Sequence, residues 1–166
     1  MAKNDQTTKI GVLSDTHMPE AGIIPLRLLS EMEHVDLIIH LGDFCNMECY
    51  RELQKIAPII AVHGNMDEPD VKDHLPEKKT IEVQGYNLGL IHGWGPPKNL
   101  EKRVVQTFQD INIILFGHSH VPHSSYWDNV FLFNPGSATM NKDGTATFGI
   151  LELGETITHQ IIRIDS

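Results

Sequence analysis

Cysteine is nearly missing from this 166-residue chain: there are two, Cys45 and Cys49. Two thiols one helical turn apart make no disulfide framework and are expected as core residues. Positive charge is also scarce, with 13 Lys and Arg against 22 Asp and Glu and a formal net charge of −9. Such a surface repels polyphosphate backbones at long range, which argues against nonspecific nucleic-acid binding. It leaves room for a single phosphoester held by a local cation. Long hydrophobic runs are missing too: no stretch is long enough to span a bilayer, and the opening MAKNDQTTKI holds no apolar signal region. The expectation is a cytoplasmic protein with no membrane partner. With no internal repeat and no low-complexity linker, residues 1–166 are expected to form a single domain.

What is present in excess is histidine, at 10 residues. The early chain alternates short apolar runs with helical patterns. KIGVLS (Lys9–Ser14), DLIIHL (Asp36–Leu41), PIIAVH (Pro58–His63) and INIILF (Ile111–Phe116) read as buried strands. IPLRLLSEMEH, NMECYRELQKI with Asn46 as cap, and PKNLEKRVVQTFQ started by Pro97 read as helices. TIEVQG and NLGLIH flank Gly85, Tyr86 and Asn87 as a hairpin, and the remainder is all strand with antiparallel pairing. This layout predicts an α/β protein with two packed sheets and helices outside.

Open α/β sheets bind ligands at the carboxyl ends of their strands. Here five strand ends carry groups able to hold a metal: Asp15 and His17, then Asp43, Asn65, His92, and finally His118 and His120. Each piece alone is commonplace, since D-x-H, G-D and H-x-H all occur on ordinary loops. Their recurrence, with glycines repeatedly beside them and an apolar strand before each, is not accidental. The other histidines have plainer expectations. His34, His74 and His159 are expected in solvent and His40 in the core. His63 is expected beside the site or in the core, and His123 either at its mouth or on a surface loop.

Carboxylate, amide and imidazole without thiolate suit manganese, iron, nickel or zinc. Seven donors exceed the needs of one tetrahedral ion and suit two ions sharing one carboxylate, at about 3.5–4 Å from each other.

The pieces DTH, GDF, GNMD, IHGW, GHSH and FNPGS, running in order from residue 15 to 137, resemble the calcineurin-like metallophosphoesterase superfamily. Within it, they are similar to its small bacterial and archaeal phosphodiesterases. The resemblance implies a four-layer αββα sandwich of two mixed β-sheets flanked by helices. It implies two divalent metal ions, manganese first among the candidates. One ion would be held by Asp15, His17 and His120, the other by Asn65, His92 and His118, with Asp43 bridging. NPGS (Asn134–Ser137) is expected to be structural.

The implied activity is hydrolysis of a small phosphoester, most of all a diester, by a hydroxide held between the two ions. Asp43, Asn65 and His92 would act through ligation. No general acid is evident, because Met66 stands where many relatives carry a histidine, and a thioether donates no proton. His63 and His123 are the nearest alternatives. Asp67 is expected as a turn acceptor, with a role in orienting a ligand histidine as the alternative. Few cations lie near the motifs; Lys98 and Arg103 are the closest, and both suit a solvated helix face. The rim loops Met18–Gly22, Phe44–Glu48, Glu68–Glu77 and Gly93–Asn99 would set the substrate, with Trp94 either stacking on a ring or packing its loop. A different class also fits the fold: a retromer-subunit-like or metal-binding scaffold with little turnover. The complete set of seven donors favours an enzyme. A homo-oligomer is left open.

Overall fold

The first strand shows why the chain folds in layers. Along β1 (Thr8–Leu13), Ile10 and Val12 face one apolar cluster and Leu13 faces another. Side chains alternate across a strand, so a run that is apolar on both faces must be covered on both. The computed structural model describes residues 6–17, 24–44 and 46–164. Cys45 and the rim segment Met18–Gly22 lie outside them.

Two mixed five-stranded sheets result. In the first, β1 is flanked by β2 (Leu37–His40) and then β3 (Ile59–Ala61), both parallel. On its other side come β9 (Thr147–Leu153), antiparallel to it, and β10 (Ile157–Arg163), antiparallel to β9. In the second, β4 (Lys78–Val83), β5 (Tyr86–Ile91), β6 (Ile113–Leu115), β8 (Val130–Asn134) and β7 (His123–Trp127) follow one another in space. Ile10, Val12, Ile39 and Leu151 of the first sheet meet Leu88, Leu90, Leu115 and Phe133 of the second. Helices α1 (Leu26–Met32) and α2 (Met47–Gln54) cover the outer face of the first sheet through Leu28, Met32, Met47 and Leu53. Helix α4 (Leu100–Val105) covers the second, with Leu100 and Val104 against Ile114, Phe116 and Leu132. The expected αββα layering is therefore present. Among the described residues no helix is long and apolar enough to cross a membrane.

Local signals hold where a side chain acts on its own backbone. Asn46 caps α2, its amide oxygen accepting from Glu48 N at 3.1 Å. Four expectations need correction. The hairpin turn is Gln84–Gly85, both at positive φ (52° and 78°), so Val83 pairs with Tyr86 and the strand starts there. Segment 68–77 is not all loop: α3 (Pro69–His74) forms with Pro69 in its first turn. It buries only Val71, too little to show a period. Helix α4 starts at Leu100 because Asn99 adopts left-handed backbone at φ 61°. Finally, the late strands are not purely antiparallel, since β8 inserts beside β6 in parallel. The β7–β8 hairpin thereby places β7 at the sheet edge.

Candidate metal centre

The carboxyl ends of β1, β2, β3, β5 and β6 deliver their residues to one place. Five of the seven candidate ligands sit at positive φ: Asp15 (54°), His17 (44°), Asp43 (59°), His118 (71°) and His120 (54°). Left-handed backbone costs a non-glycine residue roughly 1–3 kcal/mol, and persists only where the surroundings fix it. They do so here. Asp15 N donates to Gly42 O at 3.0 Å, and His17 N to Asp43 O at 2.9 Å. His118 N donates to Asp15 Oδ2 at 3.0 Å, and Asp43 N to Asp67 Oδ2 at 2.9 Å. Two glycines let the strand ends approach. A Cβ on Gly64 would lie 2.1 Å from Asp43 Oδ1, and one on Gly117 would lie 1.9 Å from Ser14 Oγ.

At the heart of the cluster, Asp15 Oδ1 and His92 Nε2 are buried, lack any hydrogen-bond partner among the described residues, and lie 3.7 Å apart. Around them, His120 Nε2 is 3.2 Å from Asp15 Oδ1, and His17 Nε2 is 3.0 Å from His120 Nε2. His92 Nε2 is 3.3 Å from Asp43 Oδ2, which is 3.7 Å from His17 Nε2. Donor atoms about 2.0–2.2 Å from an ion must sit near these separations from one another. Two overlapping groups could each hold an ion: Asp15, His17 and His120; and Asp15, Asp43 and His92.

The outer ring nitrogens fix the tautomers. His92 Nδ1 donates to Leu41 O at 2.7 Å, and His120 Nδ1 to Met140 O at 3.0 Å. In their neutral forms, both Nε2 lone pairs therefore point inward. His118 is reversed: Nε2 donates to Gly95 O at 2.8 Å, and Nδ1 faces Asn65 Oδ1 at 3.2 Å. Asn65 and His118 are thus brought together nearer to solvent, beside the buried group.

Burial alone would raise both carboxyls, but their partners win. The close rings of His120 and His17, the charge of His92 and the Ser14 hydroxyl hold Asp15 far below the usual carboxylate range. His92 and the Met66 N–H lower Asp43. In return, the close Asp15 carboxylate raises His120. Burial lowers His92, yet Asp43 and Asp15 raise it overall. The field that draws protons to these rings equally favours a divalent cation, for which binding would release them.

The remaining histidines separate cleanly. His40 is fully buried and pushed down to about 3 by that burial. Its Nδ1 accepts from Gly42 N at 3.1 Å and its ring stacks on Phe44, so it supports the loop rather than the centre. His63 is half-buried and lines a cavity shared with Asn65 and His92. His123 bonds Ser125 Oγ at 2.7 Å and packs near Phe116, on the α4 side of its sheet. His34, His74 and His159 are exposed.

Asn134 donates to Gly117 O and Ser119 Oγ, and Ser137 Oγ donates to Asp15 O at 2.8 Å. The NPGS segment thus braces the backbone under Asp15 and Gly117. Met66 meets the centre through its N–H, which donates to Asp43 Oδ1 at 2.8 Å, while its side chain is 60% exposed.

Sequence reasoning understated three residues. Asp67 is more than a turn acceptor: it also takes the Gly64 N–H at 2.7 Å, and it orients Asp43 rather than a histidine. Its signal was a carboxylate directly after the ligand loop. Arg103 does not simply lie on a solvated helix face, because its guanidinium donates to the carbonyls of Trp94, Pro96 and Lys98. Lys72, whose Nζ donates to Asn65 O at 3.1 Å, is a third cation at the motif loops, beside the two expected ones. No sequence signal marks it, because the short helix α3 that carries it buries only Val71.

A family model described as the calcineurin-like phosphoesterase superfamily domain matches residues 8–156. The probable metallophosphoesterase MJ0623 of Methanocaldococcus jannaschii is 31% identical over 96% of this chain and 83% of its own. A solved structure described as a novel archaeal phosphodiesterase is 26% identical, with a TM-score of 0.74 over 94% of this chain and 99% of that one. Wild-type Vps29 of Entamoeba histolytica, solved with zinc, has a TM-score of 0.70 at 23% identity over 93% and 98% of the two chains. That last likeness is one of fold.

Proposed function

The chain belongs to the calcineurin-like phosphoesterase superfamily, and from that premise we propose that it is a phosphodiesterase working with two divalent metal ions. Membership carries metal-dependent phosphoester hydrolysis; the diester preference and the paired ions are our reading. The observation that carries it is the pair of buried, partnerless atoms, Asp15 Oδ1 and His92 Nε2, caged by nitrogen and oxygen donors at 3.0–3.7 Å. Leaving such atoms unpaired costs about 1–3 kcal/mol each or more for a charged group, so they call for a cation.

In this reading Asp15, His17 and His120 hold one ion, Asn65, His92 and His118 hold the other, and Asp43 is shared. When bound, the ions supply an acidified water and neutralise charge on the phosphoryl oxygens. The chain's own residues do the rest. Asp15 and Asp43 supply the negative charge, and Asn65 adds a neutral amide that limits its total. The Leu41 and Met140 carbonyls lock His92 and His120 so that no reorganisation is needed during reaction. Manganese, iron, nickel and zinc all suit this donor set, manganese first. A diester fits a site with Lys72 and no fork of arginines around the phosphate; Arg103 is committed to its loop. The Vps29-like scaffold reading is disfavoured because all seven positions hold competent donors.

The test is to strip the protein, refill it with each ion in turn, and assay an aryl phosphodiester against the matching monoester. Activity should need the second equivalent of metal and should favour the diester. Full activity with one equivalent would overturn the paired ions, and a monoester preference would overturn the substrate class.

A further inference from the structure

Next to the metal centre lies a cavity of about 360 Å³. It shares Asn65 and His92 with the cluster and continues past them to His63, Lys72, Ile91 and Trp94. That volume is in the range of small-molecule sites, about 300–1,000 Å³. A phosphoryl group held at the cluster accounts for little of it. A phosphodiester carries two further arms, and a space that begins at two candidate ligands is where one of them would go.

The lining says what kind of arm fits. Trp94 is 47% exposed, yet the loop that carries it is held firmly. Arg103 Nε donates to Trp94 O and a guanidinium nitrogen to Lys98 O, both at 3.0 Å, while another meets Pro96 O. The Gly95 carbonyl between them accepts from His118 Nε2. Pro96 and Pro97 stiffen the same stretch. An indole kept on a fixed backbone and left half in solvent is a stacking platform already in place, with little ordering left to offset. Ile91 adds apolar surface. Lys72 spends one donor on the Asn65 carbonyl and has two more for an acceptor edge.

We infer that this cavity receives one ester arm of the substrate, and that the arm is planar and aromatic, an aryl or nucleobase-bearing group stacked on Trp94. The inference rests on the phosphoesterase reading above, but its first readout, quenching of the indole, does not depend on turnover. Trp94 and Trp127 are the chain's two tryptophans, so Trp127→Phe leaves Trp94 as the single indole reporter. Metal-loaded protein with that change is titrated with phenyl phosphate, adenosine 5′-monophosphate and butyl phosphate, following indole fluorescence. The same three compounds are measured as inhibitors of diester hydrolysis.

The aromatic monoesters should quench the signal and bind about tenfold tighter than butyl phosphate, the scale of ring stacking. Trp94→Ala, read through inhibition, should abolish that preference and leave butyl phosphate unchanged; Trp94→Phe should keep most of it. Equal binding of aromatic and alkyl compounds, or a preference that survives Trp94→Ala, overturns the inference. If no diester is hydrolysed but the aromatic preference in quenching stands, the hydrolytic reading falls and the cavity assignment holds. If diesters are hydrolysed with no aromatic preference, the cavity assignment falls alone.

Discussion

The two halves of the candidate centre are built differently. Around Asp15 the carboxylate is buried and tied inward. Ser14 Oγ donates to Asp15 Oδ2 at 2.6 Å, His118 N donates to the same oxygen, and Ser137 and Thr139 hold the Asp15 carbonyl. Around Asn65 and His118 the support is a surface loop: His118 leans on Gly95 O, and that loop leans on Arg103. Preorganised donors in a dry setting bind a cation without rearranging, whereas a loop must first be held still. The comparison teaches that the two ions should differ in affinity, the inner one tight and the outer one labile.

The largest effect should come from the residue that belongs to both halves. Asp43 Oδ2 lies 3.3 Å from His92 Nε2 and 3.7 Å from His17 Nε2, and Oδ1 takes the Met66 N–H. Asp43→Asn keeps the shape and removes the shared charge. Turnover should fall by about 10³-fold, the upper scale for losing a group that stabilises transition-state charge. Occupancy of both ions should drop, as read by elemental analysis. Loss of only one ion would remove Asp43 from the bridging position and with it the common element of the two halves.

Next in size is the order of metal release. Under a rising concentration of chelator, one equivalent should leave well before the other. Asn65→Ala should behave as wild type does after that first loss, with one ion retained and turnover down about 10²-fold. Both ions leaving together would erase the contrast. The stripped protein should keep its far-UV circular dichroism, because none of the candidate ligands belongs to the apolar clusters that hold the layers together.

The same contrast bears on what could be read from the sequence. The inner half was legible because its donors follow apolar strands at one end of the sheets, a pattern that strand alternation and sheet-end geometry explain residue by residue. Gly64 and Gly117 could be noticed in the sequence, but the sub-3 Å approach that requires them is three-dimensional. The outer half was legible only as Asn65 and His118 themselves. Arg103 looks like any basic residue on a short helix, and nothing local says that three loop carbonyls converge on it. Helix α3 hid for a related reason: six residues with one buried side chain carry no period. The parallel placement of β8 escaped because alternation fixes which face a strand buries and not which neighbour it takes. Asp67 was half-read, since a carboxylate after Gly-Asn predicts a turn but not that Asp43 N would be its second donor.

Arg103 gives a smaller, more selective test. Arg103→Ala removes a fork that holds three carbonyls and so frees the peptide on which His118 leans. Affinity for the outer ion should weaken by about tenfold, the lower end for losing an indirect ligand support. Affinity for the inner ion should stay as it is. Lysine cannot reproduce the planar fork, so Arg103→Lys should resemble Arg103→Ala rather than wild type. Equal weakening of both ions in a calorimetric titration would show that the loop supports the whole centre.

The smallest effect is expected at Met66, although it sits between Asn65 and Asp67. What reaches the centre is its N–H, which donates to Asp43 Oδ1, and the side chain stands in solvent. Met66→Ala keeps that N–H, so stability should move by no more than about 0.5 kcal/mol, and both metal affinities should hold. A thioether donates no proton, so the dependence of rate on leaving-group pKa should also keep its slope. Met66→His puts an imidazole at the same exposed position and should flatten that slope, gaining most on alkyl leaving groups. A tenfold fall in turnover for Met66→Ala, with metal content intact, would mean that the side chain itself touches substrate. The outer half would then be shaped by its side chains as much as by the loop that holds them.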